Sequence, residues 1–109
     1  DYYSGGGTAR IPATNGLQAT ALEQITRRAE FLKVEVTSFT TSNEELIKAK
    51  EVAKAADMVI VVGATTSGEG SDRATLALDH KVDDLIAAIA PLRPTVVLMQ
   101  TPGAVLTPW

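Results

Sequence analysis

The sequence has no cysteine among its 109 residues. Disulfides, thiolate zinc sites and a cysteine nucleophile are therefore excluded, while the compartment stays open. It has one histidine, His80, which leaves no second histidine for a metal site. There is no basic stripe of the kind that binds nucleic acid and no like-charge run that would make a tail. The net charge is -3, with both signs mixed along the chain. The longest apolar run falls far short of the roughly 20 residues that span a bilayer. The opening "DYYSGGG" shows no basic-then-apolar leader. The chain starts on Asp1 rather than Met and ends on Trp109, which fits a fragment or a processed product.

What is present reads as one globular domain over residues 1–109, 45% hydrophobic and 21% charged. Residues 4–16, "SGGGTARIPATNG", have loop composition. Within them "SGGGT" is read as a turn in preference to an anion site. Thr20 followed by Glu23 makes a capping box for a helix at 21–29, with Leu22 and Ile25 inward. "FLKVEVTSF", 31–39, alternates and is β-branched and aromatic, which predicts a strand. Ser42 with Glu45 makes a second capping box. The helix after it runs to about Ala55, with Leu46, Ile47, Ala49 and Ala53 at helical spacing. "MVIVV", 58–62, is a continuous apolar run, as in a strand buried on both faces. A third helix is expected at about 81–90 and is ended by Pro91 and Pro94. A second fully apolar strand follows at 95–99. The alternation of helix and strand predicts an α/β fold with a mostly parallel sheet. Three strands are few for such a sheet, which suggests part of a larger doubly wound, flavodoxin-like domain.

In open α/β sheets, ligands sit at the carboxyl ends of the strands. "GATTSGEGSDR", 63–73, lies at such an end. Gly63 and Gly68 have the spacing of the first half of a P-loop. The next residues should be Lys and Ser or Thr, but they are Glu69 and Gly70. A carboxylate there repels a phosphate, so nucleotide binding is excluded. A Rossmann reading fails because "GEGSDR" lacks the third glycine. Two readings stay open. Spacing alone favours a solvated loop in which Glu69, Asp72 and Arg73 serve solubility. The other is proton transfer, since a carboxyl group becomes a useful acid when a closing partner desolvates it. Asp72 and Arg73 would then bond polar ligand groups or pin the loop. His80 reads as a surface residue and Trp109 as a packing residue. Nothing in the spacing brings Ser67 or Ser71 to His80 as a catalytic set.

Several longer motifs, in order, carry a resemblance. "AADMVIVVGATTSGEGSDRATLAL", then "DDLIAAIAPLRPTVVLM", then "GAVLTPW" resemble the C-terminal α/β sandwich domain of family 3 glycoside hydrolases, the β-glucosidase type. "YYSGGGTAR" and "TALEQI" fit the same family's earlier part, with Ala21 and Gln24 where the family carries Pro and Gly. The resemblance implies a three-layer α/β/α sandwich. It implies a retaining enzyme acting on a β-linked glucoside or oligosaccharide, with its nucleophilic aspartate on a separate N-terminal (β/α)8 barrel. Glu69 matches the position of the acid/base, and Asp72 with Arg73 match the family's "DR", which orders the loop or lines the sugar site. No cofactor and no metal are implied. The barrel, the strand before "YSGGGT" and the strands after "PW" are missing, so the chain alone cannot run the reaction. The open sheet edges invite cover by another chain or a second copy. The rival implication is a non-catalytic carbohydrate-binding or assembly module of the same fold.

Overall fold

A computed structural model describes residues 19–40 and 45–109. The expected loop at 4–16 and the capping residue Ser42 lie outside the described residues. The chain divides into two compact units, Asp1–Ser38 and Phe39–Trp109.

In the first unit, helix α1 spans Ala21–Leu32. Its start is the expected capping box. The Glu23 N–H donates to Thr20 Oγ1 at 3.1 Å and the Thr20 N–H to Glu23 Oε2 at 2.7 Å, satisfying two amides that a helix end leaves bare. The helix runs beyond the expected residue 29, because Phe31 and Leu32 join its last turn. It stops where Lys33 turns left-handed at φ 57°, with the Val34 N–H bonded to the Ala29 carbonyl at 2.9 Å. Ala29 is buried, Ile25 is half-buried, and Leu22 is exposed, contrary to expectation. The expected strand at 31–39 does not form, and residues 34–40 join no ladder among the described residues. Alternation is only a capacity for pairing; a strand gains its hydrogen bonds and its packing from a neighbour.

The second unit carries α2 (Leu46–Ala55), β1 (Val59–Ala64), α3 (Val82–Ile89) and β2 (Thr95–Gln100). β1 and β2 pair in parallel, in register from Val59↔Thr95 to Ala64↔Gln100. Parallel neighbours need a crossover, and α3 lies in it. Both helices pack on one sheet face. Ala49 and Ala53 of α2 meet Ile89 together with Val59, Leu85, Leu92 and Phe39. Val61, Leu78 and Ile86 form the adjoining cluster with Val82, Val97 and Val105. Ile86 is fully buried. Ile47, expected on the inner face of α2, is 77% exposed. The cation of Arg93 closes α2 from outside the helix, donating through Nε to Ala56 O and through Nη2 to Lys54 O, both at 2.7 Å.

The strands are covered mainly on one face, not on both as expected, although Ala64 at the end of β1 is also buried. Val61 and Gly63 are covered, whereas Ile60, Val62, Val96 and Leu98 are exposed. The fold is therefore α/β with a small parallel sheet, two-stranded among the described residues.

Candidate functional site

β1 delivers its carboxyl end to a loop that is built in three steps. First, Gly63 lets the strand pass close under α3. A Cβ there would lie 3.0 Å from Leu78 Cδ1 and 3.0 Å from Val82 Cγ1. Second, Thr65 extends the ladder, its N–H donating to Gln100 O at 3.1 Å. Third, Gly68 and Ser71 form an antiparallel bridge with Glu69 and Gly70 as the turn between them. Gly70 has φ 75°, the positive value that the third position of a type II turn needs. The second glycine of "GEG" is thus a conformational requirement, and Glu69 stands at the apex, exposed to solvent.

The turn rests on two feet. On one side, Thr66 donates through both its N–H (2.9 Å) and its Oγ1 hydroxyl (3.0 Å) to Asp79 Oδ2. On the other, the Arg73 guanidinium donates to Ala104 O at 2.8 Å and Ala77 O at 3.2 Å. Behind these, the segment after β2 lies along the loop. The Leu106 N–H donates to Leu76 O at 2.9 Å. The Trp109 indole N–H donates to Asp83 Oδ1 at 2.7 Å, and the other oxygen of Asp83 accepts the Leu78 N–H at 3.0 Å. Between Leu78 and α3 the chain makes a tight turn, Asp79–Lys81, in which His80 and Lys81 are both left-handed at φ 55° and 56°. Two non-glycine residues in that region persist only where their surroundings fix them.

These elements enclose an open cleft of about 860 Å³. Its wall is mixed, with more apolar than polar surface: Thr66, Ser67, Ser71, Asp72, Arg73 and Asp79 contribute polar groups beside Ala74, Ala77 and Leu78. Of the residues expected at the site, Asp72 and Arg73 line the cleft, while Glu69 stands at the turn apex and is not among the lining residues. Ser67, Ser71 and His80 also share the cleft wall, a proximity that spacing did not show. Among the described residues no group of three His, Asp or Glu side chains is placed to hold a metal ion. No helix among them is long and apolar enough to cross a membrane.

Sequence reasoning missed Asp79 and Asp83 and underrated Trp109. Asp83 carries a faint local signal, an acidic residue in the first turn of a helix. The partners Thr66 and Trp109 lie 13 and 26 residues away from their aspartates, beyond any local pattern.

The glycosyl hydrolase family 3 C-terminal domain matches residues 1–109. A beta-glucosidase of Schizophyllum commune is 36% identical over 97 residues, which covers 81% of this chain and 50% of that protein. The chain thus spans half the length of this curated relative.

Proposed function

Because the chain belongs to the glycosyl hydrolase family 3 C-terminal domain, we propose that it is an internal part, residues 1–109, of such a domain in a retaining β-glucosidase-type enzyme, and that Glu69 is the acid/base. The observation that carries this is the placement of Glu69 at the apex of a glycine-flanked turn, at the carboxyl end of β1. A carboxyl group there is free to reach a substrate held by another domain. That domain is the N-terminal (β/α)8 barrel, whose aspartate is the nucleophile. In the first step the aspartate bonds to the anomeric carbon while Glu69 gives its proton to the departing glycosidic oxygen. In the second, Glu69 takes a proton from water, which displaces the aspartate. Retention requires the two carboxyl groups to stand about 5–5.5 Å apart. Asp72 and Arg73, on the cleft wall, order the loop and border the sugar site. The substrate is a β-linked glucoside or oligosaccharide. The two-layer unit is completed to a three-layer sandwich by further strands and by cover on the Ile60–Leu98 face, from the parent chain or from a second copy.

The test is Glu69→Gln and Glu69→Ala in the full-length enzyme. Turnover of an unactivated β-glucoside falls by about 10²–10⁴. Azide or a good leaving group restores much of it. Unchanged turnover of the unactivated substrate overturns the assignment. The hydroxyl and carboxylate groups of the wall also suit a second reading, a sugar-binding or assembly module without catalysis. A barrel lacking the nucleophilic aspartate would favour it.

A further inference from the structure

The turn that carries Glu69 is short and made of residues with little packing of their own: Gly68, Glu69, Gly70 and Ser71 are all exposed. Its position must therefore come from its feet. Those feet are Thr66, fixed by Asp79, and Arg73, fixed by the carbonyls of Ala77 and Ala104. Asp79 is in turn followed by the two left-handed residues His80 and Lys81, and that strained turn is clasped by Asp83. Asp83 is held by Trp109, and Val105 is packed into the cluster around Ile86. Every support of the turn thus leads to one of two places, the start of α3 or the segment 104–109.

We propose that residues 104–109 are a strap that fixes the reach of the Glu69 turn, with Arg73, Asp79 and Asp83 as positioning residues and Trp109 as the latch. The proposal rests on the reading of Glu69 as acid/base. The physical reason is that a proton donor must meet the departing oxygen at hydrogen-bond distance, and small misplacements of such a group are expensive. Arg73 uses its guanidinium on two backbone carbonyls 27 residues apart in the chain, Ala77 and Ala104, which ties the strap to the loop directly beside the turn. The Trp109–Asp83 bond closes the far end of the strap. A loosened strap leaves the cleft and the barrel's nucleophile in place but lets Glu69 wander.

The experiment compares Trp109→Phe with the parent in the full-length enzyme. This change removes one N–H and keeps an aromatic ring, so the fold is retained. On an unactivated β-glucoside kcat falls about tenfold with KM nearly unchanged. On a dinitrophenyl glucoside, whose departure needs no proton, glycosylation keeps its rate. In a Glu69→Gln background Trp109→Phe has no further effect on the unactivated substrate, because the group it positions is gone. Asp83→Asn, which keeps an acceptor for Trp109 and changes the Leu78 clasp, gives the same substrate split. Where Glu69→Gln itself is impaired, equal loss on both substrates, or no loss, overturns the proposal. Amide hydrogen exchange of residues 67–73 separates its failure from that of the underlying reading. If Glu69→Gln is fully active, the acid/base role fails, yet faster exchange in Trp109→Phe still establishes the strap. Unchanged exchange removes the strap as well.

Discussion

Gly63 passes so close beneath Leu78 that a Cβ on it would stand 3.0 Å from the Leu78 Cδ1 atom. Leu78 is buried and packs with Val61 and Ile86, so it has little room to yield. Gly63→Ala is therefore overpacked and costs about 1–3 kcal/mol. Denaturant unfolding measures it. A midpoint equal to that of the parent would show that Leu78 and Val82 shift freely.

The two glycines flanking Glu69 answer to different constraints. A Cβ at either meets nothing within 4 Å, but only Gly70 has a positive φ. Gly70→Ala is expected to cost about 1 kcal/mol from backbone strain alone. Gly68→Ala, free of that strain, changes stability by less than about 0.5 kcal/mol. Unfolding midpoints of the two variants side by side check the contrast.

Lys81 is left-handed at φ 56° with its side chain exposed. Lys81→Gly relieves backbone strain at the start of α3 and stabilises by roughly 0.5–1 kcal/mol, the relief being partly offset by the freer unfolded chain. A lower melting temperature would mean that the lysine side chain earns its place through contacts rather than tolerating its conformation.

Arg93 satisfies the carbonyls of Lys54 and Ala56 at the end of α2. Arg93→Met keeps the aliphatic stem and removes the donors. The expected loss is about 1–2 kcal/mol, and the amides of residues 52–56 should exchange faster. Unaltered exchange there would show that the cap is dispensable.

The alternation of α2, β1, α3 and β2 could be read from the chain because each rests on a local pattern. The apolar runs at 58–62 and 95–99 became β1 and β2, and Pro91 marked the end of α3. The Thr20–Glu23 box was legible for the same reason, since both partners sit within one helical turn. Ile47 and Leu22 have helical spacing yet are exposed, since spacing gives a face and only a neighbour can cover it. The stretch 31–39 had strand composition, but its first two residues were taken by α1 and the rest found no ladder among the described residues.

By itself the sequence determined the α/β order, the loop at the end of β1 and, through its run of motifs, the family to which the chain belongs. Glycine content also marked the segment around Glu69 as loop, and the structure turns it at Gly70, whose positive φ favours glycine. Only the tertiary structure decided what holds that turn. Thr66 reaches Asp79, Arg73 reaches Ala104, and Asp83 reaches Trp109 across separations of 13, 31 and 26 residues. Such bonds depend on where the parallel pairing of β1 and β2 brings the two loop ends together, and no local propensity encodes that meeting.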